Sequence, residues 1–283
     1  MFNLTLSPSQ VELLAKPGIT ITQAFDITNN SDSIITLNTS VRSWQPIGTS
    51  GLVSYSGVLS NPHFEFSLAN SDIHLGQIFS LKPGQKQQLV LKIKSQNETP
   101  LADSYFTFFV SQDANNSLNP NQIGAQTSAE IGSHLLISTS STENITAKAS
   151  ISKFTVSPKF KDIFFSKLTF NGIVNNESAH FFKTDGKIII SKNNLTLQEL
   201  TLFPHNVLAD YSRQINCLQN NEPTPCTLNP PFWPGNYTAT LESNHATATI
   251  NFFIFPFSFT FTLGLVALLA IFIIKITHFK LGH

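Results

Sequence analysis

From Phe252 to Ile274 the chain carries no charged residue and is built mostly from Phe, Ile, Leu, Val and Ala, and Lys275 and Lys280 follow directly. At about 1.5 Å rise per residue, a helix of roughly 23 residues is about 34 Å long. A hydrocarbon core is about 30 Å thick, so the run predicts a transmembrane helix over 252–274 and a short basic cytoplasmic tail over 275–283. Pro256 falls near the helix start, where a missing N–H does no harm. Lys275 and Lys280 form the membrane flank on the side that the positive-inside rule gives to the cytoplasm. The alternative is a buried core helix, and such helices rarely run this long without a charge. The expectation is a single-pass protein of the cell membrane, with its N-terminal domains outside, its C-terminus cytoplasmic and membrane lipid as one partner.

The roughly 250 residues before this span exceed one modest domain, so two are expected. Lys and Arg total 17 against 17 Asp and Glu, a formal net charge of zero. No basic stripe exists for nucleic acid, which is not expected as a partner. Phe accounts for 25 of 283 residues and supplies core area, while abundant Asn, Ser and Thr supply turns and exposed strand positions.

The only cysteines are Cys217 and Cys226, separated by a polar, turn-forming segment. Outside a membrane they are expected to bridge and close a hairpin loop, with two free thiols as the alternative. The N-terminus, Met1 to Leu6, has neither a basic n-region nor an apolar h-region. An exported region needs a signal, so the expectation is that the true start lies upstream. The rival is a tail-anchored protein with cytoplasmic domains.

Short strands fill the region before the span. Asn3 to Leu6, Ile19 to Ile27, Ile34 to Val41 and Gln87 to Ile93 alternate apolar with polar residues, and Tyr105 to Val110 is more continuously apolar. Lys16-Pro17-Gly18 and Lys82-Pro83-Gly84 place Pro and Gly as a type II turn requires. The class is all-β: tandem immunoglobulin-like β-sandwiches followed by the single C-terminal transmembrane α-helix. An internal echo supports duplication. Leu4-Thr5-Leu6-Ser7-Pro8 leads to a strand ending in Asn29-Asn30, and Phe154-Thr155-Val156-Ser157-Pro158 leads to one ending in Asn175-Asn176. The first sandwich is assigned to 1–142 and the second to 148–250. A polar loop near Gln112 to Ser128 is expected to join the last two strands of the first.

Further motifs follow in order. Val11-Glu12-Leu13 precedes Lys16-Pro17-Gly18, Lys82 to Gln87 precedes an alternating strand, and Ala102 to Phe106 starts the next. Ile131 to Ile137 closes that domain; Asn175 to His180 with Gly186-Lys187-Ile188, Asn206 to Leu208 with Ser212-Arg213, and Pro234 to Tyr237 mark the second. This order resembles bacterial WxL-interacting-protein-like surface proteins, which carry two immunoglobulin-like domains and a C-terminal membrane helix. The resemblance implies an extracytoplasmic binding or adhesion-type protein, with peptidoglycan or another surface protein as partner. The missing signal peptide and the cysteine pair depart from that pattern, and no binding residue carries over.

Catalytic chemistry is not legible. No Gly-x-Ser-x-Gly elbow, His-Glu-x-x-His, P-loop or dinucleotide fingerprint occurs. His63, Glu65, Asp72 and His74 form the densest acid–imidazole cluster and read as a solvated loop, not a metal site. His180 either caps a ligand groove or, the favoured reading, hydrogen-bonds a neighbouring turn and fixes the approach to Gly186. Trp44 and Trp233 are expected to be structural. No enzyme, cofactor or metal is expected. The function read from the sequence is a membrane-anchored binding protein presenting two sandwich modules; the alternative is a structural or chaperone-like subunit of a cell-envelope assembly.

If the cysteines bridge, a thiol reagent should label the wild type only after reduction and the Cys217→Ser variant without it. Equal labelling of both, with and without reductant, rules the bridge out.

Overall fold

The computed structural model describes residues 3–56, 61–112, 129–142, 147–158, 161–162, 167–230 and 233–281, with side chains described up to 274. The chain divides into two compact units, Met1–Thr146 with Ser178–Phe181, and Ala147–Glu177 with Phe182–His283. Each is an immunoglobulin-like β-sandwich, and one apolar helix closes the chain.

In the first unit one sheet runs β1 (Leu4–Ser7), β3 (Thr20–Asn29), β8 (Lys86–Ser95), β6 (Phe64–Leu68). The other runs β2 (Gln10–Ala15), β10 (Glu130–Thr139), β9 (Asp103–Gln112), β4 (Ile35–Ile47), β5 (Leu52–Tyr55), with β7 (Phe79–Leu81) also on β4. The first extended stretch is divided at Pro8, which cannot donate to a ladder. Before it, β1 lies antiparallel to β3; after it, β2 lies parallel to β10. Strand alternation then turns Phe25 and Ile27 of β3 and Leu89, Leu91 and Ile93 of β8 inward, against Phe106, Phe108 and Val110 of β9 and Leu135 and Ile137 of β10. The Phe25 and Phe108 rings stack at 5.0 Å. Each such side chain contributes about 1.5–3 kcal/mol by leaving water.

The Lys-Pro-Gly segments turn as expected. Ile19 N–H donates to Lys16 O at 3.1 Å and Gln85 N–H to Lys82 O at 3.0 Å. Gly18 and Gly84 take the positive φ (77° and 70°) that a type II turn demands at its third position. The polar loop expected from Gln112 lies, from residue 113 to 128, outside the described residues.

In the second unit one sheet runs β11 (Ala149–Ser157), β12 (Leu168–Asn176), β17 (Ser212–Gln214), with β20 (Cys226–Leu228) also on β12. The other runs β15 (Leu195–Thr201), β14 (Gly186–Lys192), β21 (Gly235–Ser243), β22 (Ala246–Ile254). Two short ribbons, β13 (Phe182–Lys183) with β16 (Asn206–Val207) and β18 (Cys217–Gln219) with β19 (Glu222–Thr224), complete it. Phe154, Phe170, Ile188, Ile190, Tyr237, Leu241, Phe252 and Ile254 belong to its core. Hairpins turn on Asn193-Asn194, Asn220-Asn221 and Asn244-His245, all six residues at positive φ. That is the conformation of a two-residue type I′ loop, which Asn tolerates.

The two units share a detail foreshadowed by the echo. Asn29 ends β3 opposite Leu4, and Asn176 ends β12 opposite Ala149. Both are buried. Asn29 Nδ2 donates to Leu81 O at 3.0 Å, and Asn176 Nδ2 to Val207 O at 2.9 Å. Each asparagine thus ties a strand end to a neighbouring segment of its own unit, satisfying a carbonyl that the ladder leaves open.

The apolar run does not begin as helix. Phe252 and Ile254 are core residues of β22, because alternating Phe and Ile suit a half-buried strand as well as a helix. Pro256 ends the ladder, and α1 (Phe257–Leu281) follows. Asp162 Oδ2 accepts from Ser258 N–H and Oγ, placing a carboxylate at the positive helix start. By length and composition Phe257–Ile274 is able to cross a membrane.

Gly132 of β10 faces Phe109 of β9. A Cβ there would meet Thr107 Cγ2 at 2.6 Å and Phe109 ring carbons at 2.9 and 3.0 Å. Gly132→Ala should therefore cost about 1–3 kcal/mol. Denaturant titration followed by Trp44 fluorescence measures it, and an unchanged midpoint would contradict this packing.

Candidate functional site

The residues singled out in the sequence fall in separate places. Cys217, at the start of β18, and Cys226, at the start of β20, are joined by a disulfide across the β18–β19 hairpin. Lys275 and Lys280 lie in α1, and their side chains fall outside the described residues. Glu65 pairs with Lys94 at 3.2 Å, while Asp72 and His74 are exposed, so the acid–imidazole cluster does not converge. Among the described residues no group of three or more His, Cys, Asp or Glu side chains could hold a metal ion. Trp44 is buried and donates Nε1–H to Phe106 O at 2.8 Å. Trp233 is 71% exposed, and its backbone carbonyl accepts from Tyr237 Oη.

In the first unit the side chain of Asp103 is wholly shielded from solvent. Its carboxylate accepts from Ser138 Oγ at 2.6 Å, Tyr105 Oη at 3.0 Å, His180 Nδ1 at 2.9 Å and the Phe181 N–H. A buried carboxylate needs such a set of donors. The His180 ring thus finds a partner 77 residues away, while its backbone carbonyl accepts from Ser178 Oγ at 3.0 Å. Ser138 Oγ and His180 Nδ1 both turn to Asp103, so this serine donates to a carboxylate and not to an imidazole base. The constellation is structural.

On the outer face of the second sheet Trp44 stacks on Tyr105 with centroids 5.0 Å apart, and His134 meets Trp44 edge-on at 5.2 Å. Tyr55 packs on Phe109, and the Arg42 guanidinium lies 4.0 Å from the same ring centroid while pairing with Glu130. Thr107 Oγ1 stands 2.8 Å from His134 Nδ1. Burial pushes the His134 imidazole below its ordinary range. In the second unit burial, and then the Arg213 charge, does the same to His205. Both rings favour the neutral form.

What remains open is the sheet margin. Natural edge strands are usually blunted with Lys or Pro. Here three of them expose large apolar side chains instead: Leu14 on β2, Leu52 and Tyr55 on β5, and Leu195 and Leu197 on β15. Of the seven residues of β15 only Leu200 is partly covered. The sequence reading missed these positions, because alternation assigns a face to a residue but not an edge to a strand.

No protein-family model matches the sequence, and no curated protein matches it. Among solved structures it is similar to the class 5 fimbriae chaperone CfaA, at 12% identity and TM-score 0.44 over 90% of this chain and 100% of that one. A chain of the CsuC–CsuE chaperone–tip adhesion subunit pre-assembly complex of Acinetobacter baumannii is similar at 12% identity and TM-score 0.38, over 89% and 98%. A chain of the Salmonella enterica SafA pilin–SafB chaperone complex is similar at 11% identity and TM-score 0.40, over 89% and 97%. No residue role is carried over from them.

These findings correct the expected kinship with WxL-interacting-protein-like surface proteins, since the solved structures named above are fimbrial chaperones and their complexes. The physical reason is that the motifs behind it mostly encode turns, which any sandwich needs. The expected localisation, a single-pass cell-membrane protein with its domains at the cell surface, is corrected with it. That expectation rested on helix length and apolarity, which measure what a segment could do and not where it resides.

The two depressed histidines set a pH dependence. An unfolded imidazole titrates near about 6.5. Between that value and the lower folded one the unfolded chain binds more protons, so their contribution is full above about 6.5 and is lost as pH falls below it. Asp26 and Glu177, also depressed, act only in the carboxylate range further down. The unfolding midpoint reported by Trp44 should drop between pH 7.5 and 5.5, and His134→Asn should flatten that drop. A wild-type midpoint that stays constant contradicts the burial argument.

Proposed function

We propose that this chain is a non-catalytic protein-binding subunit of the structural or chaperone-like kind, working in a cell-envelope assembly. Its modules are the sandwiches of residues 1–142 and 148–250, which hold extended partner segments at open sheet margins. The observation that carries this reading is the set of apolar edge residues, Leu14, Leu52, Leu195 and Leu197, on strands that among the described residues have no hydrogen-bonded strand on one side. An unpaired edge presents free backbone donors and acceptors, and flanking apolar side chains add affinity when a partner strand covers them. The complexes of chaperones with a pilin or adhesion subunit described above are in keeping with this reading, which does not rest on them.

The test is photocrosslinking in the cells that make the protein. A photoreactive residue is placed at Leu14, Leu52 or Leu195, with Lys92 on the interior strand β8 as control. At least one edge position should give a single dominant, stoichiometric protein adduct, and Lys92 none. If no edge position captures a protein, or Lys92 captures equally well, the reading is wrong.

A further inference from the structure

We propose that the outer margin of β15 takes an extended segment of a partner protein, and that a cleft beside it receives one apolar side chain of that segment, flanked by a carboxylate. This rests on the protein-binding reading above and adds the place and the chemistry of the occupant.

The margin itself comes first. β15 ends its sheet, and among the described residues no strand pairs with its outer side; only Leu202, just past its end, bridges to Cys217. Leu195 is 69% and Leu197 51% exposed. The pairing with β14 shifts register: Ile190 faces Gln198, whereas Ser191 faces Thr196. Leu197 is therefore the extra residue of a bulge, released from the ladder. Such a bulge re-aims one side chain, and Leu197 lines the cleft.

That cleft, of about 250 Å³, is also lined by Ile190, Lys192, Leu228, Trp233 and Tyr237. Small-molecule sites run to roughly 300–1,000 Å³. A cleft smaller than that, mostly apolar and opening beside a free strand margin, suits a single side chain delivered by a paired strand.

Charge supplies the last element. Lys192 Nζ donates to Pro234 O at 3.0 Å and lies 5.0 Å from the Tyr237 ring centroid. No carboxylate of the described residues pairs with it. The one acidic residue of β15, Glu199, is held by Lys187 at 2.9 Å. A second copy of this chain, pairing β15 with β15, would thus bring no uncommitted carboxylate to Lys192. A partner segment with an acidic residue beside its inserted apolar one supplies that missing charge.

The experiment uses the full chain and fluorescein-labelled nine-residue peptides that alternate Thr with Val and carry a central Leu followed by Asp. Fluorescence anisotropy should show saturable binding. Replacing the central Leu by Ser should weaken it at least about tenfold, as should Trp233→Ala and Leu197→Ser in the protein, with circular dichroism unchanged. Lys192→Gln should abolish the preference for the Asp peptide over one with Lys in its place, and leave binding of a third peptide with Asn at that position unaffected. Absence of binding, or equal binding by wild type, Trp233→Ala and Leu197→Ser, overturns the proposal. So does a concentration-dependent dimer in light scattering that Leu197→Ser breaks, because the occupant is then a second copy. Photocrosslinks at Leu14 or Leu52 that persist in Trp233→Ala, without peptide binding, sink the cleft and leave the broader reading standing. Loss of every edge adduct sinks the broader reading instead.

Discussion

Two sheets stay face to face only while each strand keeps its apolar side chains on one side, and the rest of this protein follows from that pleat. Fixing every second residue inward commits Phe25 and Phe108 in one unit, and Phe170 and Phe252 in the other, to opposed inner faces. It also fixes register, since a slip of one residue would turn the whole set to solvent. What the pleat cannot do is end a sheet. A sandwich always has margins, and their chemistry is free to vary where that of the core is not.

The buried polar groups answer a different need. Asn29 and Asn176 sit where a strand runs out and spend their amides on carbonyls of neighbouring segments. Asp103 gathers two hydroxyls, an imidazole and a backbone N–H around one carboxylate. Each group is costly to bury alone and acceptable once bonded, so these clusters hold the geometry of their unit. The backbone and apolar margins suit the binding of extended segments proposed above.

Much of the architecture was legible because it is written in short-range chemistry. The alternation in Ile19 to Ile27 and Gln87 to Ile93 marks β3 and β8, and Lys82-Pro83-Gly84 marks the turn between β7 and β8. The repeated Ser-Pro and Asn-Asn pairs place equivalent corners in both units. The Asn-Asn hairpins at 193–194 and 220–221 carried the same kind of signal and passed unread as type I′ turns. The same locality misled. Turn motifs common to many sandwiches suggested a specific surface-protein kinship, and Phe252 to Ile254 passed for the start of a helix although they close β22.

By itself the sequence determined the all-β class, the doubling of the sandwich, the turn sites and one long apolar helix near the C-terminal end. These depend on neighbours within a few positions, where period and turn chemistry act directly. Only the tertiary structure decided that His180 meets Asp103, that Trp44 is enclosed while Trp233 is not, and that β15 lies at a margin with Leu197 pushed out by a bulge. Those outcomes depend on which distant strands pair and in what register, and no local pattern encodes them.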